Sequence, residues 1–462
     1  MNLRALLLCL ALAAGFAASA QKAGGPEAAA LTPIDEERLP TLEPLPAAPA
    51  EPGPQGPVLL LADALFAARG QSPDISVARE HVTQARNSVS RAWSALKPTL
   101  TGNLDYTRNN TGASFFAPGI GDITTQQLNA VTGNLTGAIT VFNGRAIPAI
   151  ESAYDQVDVA RLTESQTRRE LLLNVAALYL TGVYQRQLSA AAFRHAASVR
   201  AQALQSEARY EAGVLQRSGA IRARLDVVNA DQEARRQVFA YASTRSSLAT
   251  LIDRHDIAFE LVSPKAPPEE LTSAFPALLE RALKDRPEMA AARINQQIAQ
   301  RLTTDAWAQF LPTLALNGQY RYSNAPGFTN ENFTWAVTLA LSIPFYDGGF
   351  RTVALKDAAS QQRQAAAQTR GQATRVEDEV RRGQLDLESA QALAAEAAQA
   401  VGFARENEQL IRAQFEAGTA TQIESSDAES QLFQSEANLV QQQASAQISS
   451  LRLMRALGAF DP

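Results

Sequence analysis

The chain has 462 residues, 46% of them hydrophobic, and 42 Lys and Arg against 47 Asp and Glu give a formal net charge of -5. A balance this even, with no large block of either sign, argues against a nucleic-acid binder, which needs a basic patch or stripe. One cysteine, Cys9, excludes a disulfide framework and a thiolate metal site.

At the N-terminus, Arg4 is followed by an apolar stretch from Ala5 to Ala14 and by Ala18-Ser19-Ala20, small residues suited to signal peptidase. Residues 1–20 therefore read as a secretory signal peptide, too short for a membrane helix. Cys9 follows Leu8 rather than a small residue, which argues against lipid anchoring, and it leaves with the signal peptide. Loss of Arg4 takes the formal charge from -5 to -6. No later run of about 18 to 20 uncharged apolar residues exists, so any membrane crossing falls to β-strands. Residues 21–57 hold nine prolines without an apolar period and read as a flexible or extended leader.

Beyond Val58 the chain repeats itself. Trp93 and Trp307 lie 214 positions apart, as do Pro73 and Pro287, Pro98 and Pro312, and Tyr106 and Tyr320. Further on, Tyr210-Glu211-Ala212-Gly213 returns as Phe415-Glu416-Ala417-Gly418, offset by 205 because the loop between the strands is shorter in the second copy. Residues 58–262 and 277–462 are expected to share one topology, joined by a linker at 263–276.

Each copy opens on helix, with Leu61, Leu65, Val82, Ala85, Val89 and Trp93 mostly at three- and four-residue spacings and a break near Gly70 to Pro73. Strands follow. In the second copy Phe333, Trp335, Val337, Leu339, Leu341, Ile343 and Phe345 alternate with small and polar residues. Weaker alternation marks Leu100 to Tyr106, Val131 to Val141 and Leu314 to Tyr322. Each segment has about the ten residues that cross a bilayer at a tilt, and Tyr322, Phe333, Trp335 and Phe345 suit its interfaces. A half-buried strand of a soluble sandwich shows the same alternation.

Asn143-Gly144 and Asp347-Gly348-Gly349 end the strands. Helix then runs from Arg145 to Ala212 and from Arg351 to Ala417, each about 100 Å long at 1.5 Å per residue. Helices of that length need partners throughout. In the last helix Phe433, Val440, Ala444, Ile448 and Leu451 form a stripe suited to coiled-coil pairing, opposite a face of mostly Gln, Ser and Glu.

A membrane sheet must close, since an open edge in hydrocarbon leaves backbone groups unpaired. Barrels begin at about eight strands. With four candidates per chain, several chains must share one barrel, and the polar faces, with Asn103, Asp105, Thr136, Gln319 and Arg321, would line its lumen.

The order helix, LPxL-like segment, strand, loop, strand, glycine turn, long helix, (Y/F)EAG turn and helix, given twice after a signal peptide, resembles the TolC-like outer-membrane efflux protein family. The resemblance spans Val58 to Gly458. It implies a mixed α and β membrane protein in which three protomers give four strands each to one transmembrane β-barrel, continued by a periplasmic α-helical coiled-coil barrel. It implies a homotrimer in outer-membrane lipid, acting as the exit duct of a tripartite efflux pump or a type I secretion system. Its partners would be a periplasmic adaptor and an inner-membrane transporter.

By the same resemblance, the turns at Gly213 and Gly418 are periplasmic tips, with Tyr210 and Phe415 beside them as candidates for adaptor docking. Glu424 and Asp427 match positions where the family places a ring of acidic residues at the entrance. A spacing of three puts both on one helix face, and crowding in such a ring should raise their carboxyl pKa values. The family's gate-locking tyrosine, arginine and first-repeat aspartate fall at Phe415, Ala420 and Gly219, so that latch is mostly missing.

No enzyme or cofactor is expected. His81, His195 and His255 lack metal-ligand spacing and read as surface or helix-flank residues. No phosphate-cradling glycine loop or nucleophile elbow is found. The competing reading is a soluble periplasmic coiled-coil scaffold or adaptor.

Overall fold

The structure, a computed structural model, describes residues 47–48, 56–119, 121–264, 274–325 and 331–459. Apart from Ala47 these belong to one compact unit, Ala48–Pro462. The signal peptide, nearly all of the leader and most of the 263–276 linker lie outside the described residues.

In chain order the first half contains β1 (Val58–Leu59), α1 (Leu61–Gln71), α2 (Pro73–Ser94), β2 (Thr99–Arg108), β3 (Ala113–Ala117), β4 (Gly121–Gln126), β5 (Asn129–Asn143), α3 (Ala146–Glu211), α4 (Arg217–Leu251) and β6 (Glu260–Leu261). The second half contains α5 (Phe275–Asp285), α6 (Pro287–Ala308), β7 (Thr313–Ser323), β8 (Phe333–Ser342), α7 (Phe350–Glu416) and α8 (Gln422–Ala456). Pro73 and Pro287 start α2 and α6, where their fixed φ suits the first turn and no amide bond is lost. Helices α3 and α7 run for 66 and 67 residues.

β2, β5, β7 and β8 form a four-stranded sheet in that order, every neighbour antiparallel. The loop between β2 and β5 folds into the hairpin β3–β4, and β1 pairs in parallel with β6. These strands add to the four expected from the sequence. Their signal is weak because β3 is five residues long and adjacent Phe115 and Phe116 break its alternation.

One core cluster gathers Leu172, Val175, Tyr179 and Val183 of α3 with Leu248 and Ile252, Phe259, Leu261 and, from α8, Leu451. Val440, Ala444 and Ile448 pack against it from α8. The Tyr179 hydroxyl lies 2.9 Å from the Leu59 carbonyl and 2.8 Å from that of Val262, fixing the β1–β6 pair to the long helix. Burial raises its pKa and pushes the phenol of Tyr184 up to about 12. Gly182 lets α3 approach closely here, since a Cβ would require the Leu261 side chain to shift. A second cluster joins α5, α6 and α7 to the end of α8 around Val376, Val380 and Leu453.

Candidate functional site

The register sorts the sheet into two unlike faces. Leu104, Gly133, Tyr322 and Phe333 share a row, as do Gly102, Leu135, Tyr320 and Trp335, and Leu100, Gly137, Gly318 and Val337. On the other face Asn103, Asn134, Arg321 and Thr334 share a row, and Thr136, Gln319 and Ala336 another. Asp105 stands opposite Thr132 on that face. Thus Asn103, Asp105, Gln319 and Arg321 come together on one polar surface, all exposed. Gln319 Nε2 donates to Asn134 Oδ1 at 2.8 Å across it.

The apolar face is exposed as well. Leu104 is 78% exposed, Trp335 76% and Leu339 64%. Large side chains fill the spaces over its glycines, Leu104 and Tyr322 flanking Gly133, and Leu100 flanking Gly137. A soluble sandwich would bury such a face. From Phe333 to Leu341 the apolar row extends about 27 Å along the strand, or about 20 Å at a 40° tilt, close to the apolar band of a membrane barrel. Aromatic residues mark both ends, Tyr106, Tyr320, Tyr322, Phe333 and Trp335 near the loops and Phe142, Phe345 and Tyr346 near the helices, all but Tyr322 substantially exposed. Among the described residues no helix is long and apolar enough to cross a membrane.

At the opposite end of α3 and α7 the chain reverses through two equivalent turns. Gly213 and Gly418 have φ of +72° and +76°. In each, the glycine N–H bonds three residues back, to Tyr210 or Phe415, and the next N–H bonds five back, to Arg209 or Gln414. This double closure satisfies the last carbonyls of each helix and requires a left-handed residue. A Cβ would meet nothing at either glycine, so conformation rather than space selects it.

The two tips are joined. Arg209 donates to the Phe415 carbonyl at 3.0 Å, and its guanidinium lies 4.2 Å from the centre of the Phe415 ring. Phe415 is only 3% exposed, which corrects its assignment to a docking surface: it packs inside its own chain, whereas Tyr210 stays half-buried and Gly213 and Gly418 are exposed.

Glu424 caps α8. Its carboxylate accepts from Thr421 N at 2.7 Å and Thr421 Oγ1 at 2.9 Å, while Glu424 N donates to Thr421 Oγ1 at 3.3 Å. The Thr421 backbone bond, then the hydroxyl bond, hold its pKa below the ordinary value within the single chain. Asp427, one turn on and exposed, lines a groove of about 280 Å³ with His195, Asp226, Glu233 and Phe433.

His195, expected as a surface or helix-flank residue, is half-buried and stacks on Phe433 with ring centres 4.6 Å apart and planes 6° from parallel. Burial lowers its pKa, while Asp226, Glu233 and Glu436 act the other way. Gln422, Ser425 and Glu429 of α8, which continue the spacing of the Phe433 stripe, are buried. They face α3, where Ser206 Oγ donates to Gln422 Oε1 at 2.8 Å and Gln202 Nε2 donates to Ser425 Oγ. From α4, Asp226 accepts from Ser426 at 2.7 Å. Serine and glutamine at three- and four-residue spacings are as compatible with solvent as with a buried partner, so the sequence signal for this seam was the spacing alone.

The model of one family, described as outer membrane efflux protein, matches residues 65–252 and 278–459. Over 201 residues the chain is 28% identical to outer membrane protein TolC of Vibrio cholerae, a match covering 41% of this chain and 44% of that protein, less than half the relative's length. The fold is similar to that of VceC from Vibrio cholerae, with a TM-score of 0.72 at 20% identity over 87% of this chain and 97% of that one. It is also similar to the CmeC channel of Campylobacter jejuni, at 0.74 and 13% over 87% and 86%. The MtrE channel of Neisseria gonorrhoeae gives 0.68 and 18% over 86% and 88%. At these identities the structural likeness is one of fold.

Proposed function

The chain belongs to the outer membrane efflux protein family, and on that premise we propose that three copies close one β-barrel and act as a passive exit duct. The family places the chain in the outer membrane and outside the enzymes, which sets aside the soluble scaffold. One observation carries the reading: a four-stranded sheet whose apolar face is exposed, whose opposite face is polar, and whose two edges pair with no other strand among the described residues. The edge strands β2 and β8 run in opposite directions, because three antiparallel steps separate them. The β8 of one copy therefore accepts the β2 of the next antiparallel, as a closed membrane sheet requires. The number three comes from the family pattern.

In this assembly Asn103, Asp105, Gln319 and Arg321 line the barrel lumen, and the helices continue the conduit through the periplasm. Glu424 and Asp427 ring the entrance, six carboxylates about one axis that favour cations. The tips at Gly213 and Gly418, with Tyr210, meet a periplasmic adaptor fed by an inner-membrane transporter, in a tripartite efflux pump or a type I secretion system. The chain carries no energy-coupling chemistry in this scheme, so its partners supply the work.

Single-channel conductance of the detergent-extracted protein tests the reading, with Glu424→Gln and Asp427→Asn combined beside the wild type. Glutamine retains the helix cap, so a change in selectivity reports charge rather than unfolding. Discrete steps whose cation preference falls in the double variant are expected. Steps with unaltered selectivity would remove the carboxylate entrance, and failure to insert would remove the duct.

A further inference from the structure

The rim of the apolar face farthest from the helices carries a charge. Strand alternation puts Arg108 on the same face as Leu100, Leu104 and Tyr106, at the end of β2 that enters the β3–β4 hairpin. It stands in register with Asn129 of β5. Arg108 Nη1 donates to Asn129 Oδ1 at 3.1 Å, and the Tyr106 hydroxyl donates to the same oxygen at 3.1 Å. The described residues place no carboxylate beside this guanidinium.

A double demand on one acceptor leaves the trio with donors to spare. Asn129 Oδ1 is used twice, so its Nδ2 and the remaining N–H groups of Arg108 are what the cluster presents outward. The mount is firm. Asn324 Nδ2 donates to the Asn129 carbonyl at 2.8 Å, Val131 N donates to Asn324 Oδ1 at 2.8 Å, and Gln127 Nε2 donates to the Asn324 carbonyl at 2.6 Å. Eight strand steps from Leu100 to Arg108 span about 27 Å, so the guanidinium reaches the headgroup layer just beyond the aromatic row.

We propose that Arg108, Asn129 and Tyr106 form a binding site for the phosphate group of an anionic lipid in the outer leaflet. This rests on the reading that the apolar face meets lipid and the helices point into the periplasm. An outward side chain at this level faces headgroups, and a phosphate offers the acceptor oxygens and negative charge that a donor-rich arginine site takes up in charge-assisted bonds. One site per copy anchors the rim of the barrel in the membrane at three points. The adjacent aromatic rings cover the first segments of the acyl chains.

The test compares lipid retained by the assembled, full-length protein after passage through vesicles of phosphatidylethanolamine mixed with a phosphorylated glycolipid, or with the same glycolipid dephosphorylated. Conductance is recorded on the same samples. Wild type is expected to retain the phosphorylated form selectively, and Arg108→Gln to retain about tenfold less, the equivalent of one lost charge-assisted hydrogen bond. Asn129→Asp, which supplies Arg108 with a carboxylate, should act likewise without removing the arginine. Arg321→Gln on the opposite face should retain lipid as the wild type does.

Equal retention by wild type and Arg108→Gln, with conductance intact, overturns the site and leaves the duct standing. Equal retention of the two glycolipids by the wild type overturns it too. Separation of Arg108→Gln into single chains with retention per chain unaltered overturns it in favour of an ion pair with Glu331 of the adjacent copy, which the antiparallel edge pairing brings to the same rim. Absence of conductance in the wild type removes the duct and this site together.

Discussion

Along α3 one helix is held by two different chemistries. In its middle, Leu172, Val175 and Tyr179 are fully buried among apolar side chains from α4, α8 and the β1–β6 pair. Toward its tip, Gln202 and Ser206 meet Ser425 and Gln422 of α8, and Arg209 lies over Phe415. Water cannot replace what the apolar core gains from burial. It can replace each hydrogen bond of the polar seam at a net loss of about 1 kcal/mol. The middle of the molecule is therefore a fixed collar, and the tip is a junction that separates with far less loss.

The largest effect should come from the collar. Leu172→Ala, at a position with no exposure, should lower unfolding free energy by about 3 kcal/mol in denaturant titration. A loss below about 1 kcal/mol would break the comparison, because the collar would then be no firmer than the tip. For the seam, Ser206→Ala and Gln422→Ala in a double-mutant cycle should show a coupling of about 1 kcal/mol, with hydrogen exchange rising at the tip and not near Tyr179. Exchange rising equally at both places would show that collar and seam open as one unit.

An effect no larger than that of the seam concerns a proton. Glu429 of α8 is 8% exposed and its Oε1 has no hydrogen-bond partner among the described residues. Burial is the main cause that raises its pKa, the Ser198 bond opposes it, and Glu408 of α7 adds to it, against Arg412. A carboxyl raised in the folded state contributes stability that is fully present below its ordinary pKa and is lost as pH rises through the folded value. Packing of α8 on α3 and α7 should thus tighten on acidification. Glu429→Gln should gain about 1 kcal/mol at neutral pH, removing an unsatisfied buried charge, and should flatten the stability profile between the two pKa values. An unchanged profile would assign the pH response of the tip to other groups.

Much of the architecture was legible because it depends on local rules. Alternation in Phe333, Trp335, Val337, Leu339 and Leu341 specifies a strand with one apolar face whatever lies beside it. Unbroken helical stretches specify α3 and α7, and the glycines at 213 and 418 mark the left-handed positions where those helices turn back. Local rules do not say which partner a polar side chain will find. Nothing local told that Gln422, Ser425 and Glu429 would be buried, that His195, read as a surface or helix-flank residue, would stack on Phe433, or that Phe415, read as a docking candidate, would lie beneath Arg209.

Sequence by itself determined the long helices, the four strands of the main sheet, their order and the two-faced character of those strands, since these follow from backbone preference and the period of apolar residues. Only the tertiary structure decided the register that collects Asn103, Asp105, Gln319 and Arg321 on one face, the donor-rich rim at Arg108, and the polar seam between α3 and α8. The reason is distance along the chain. Arg209 meets Phe415 and Ser206 meets Gln422 across more than 200 residues, and contacts of that kind are set by how whole helices and strands pack, not by the residues next in line.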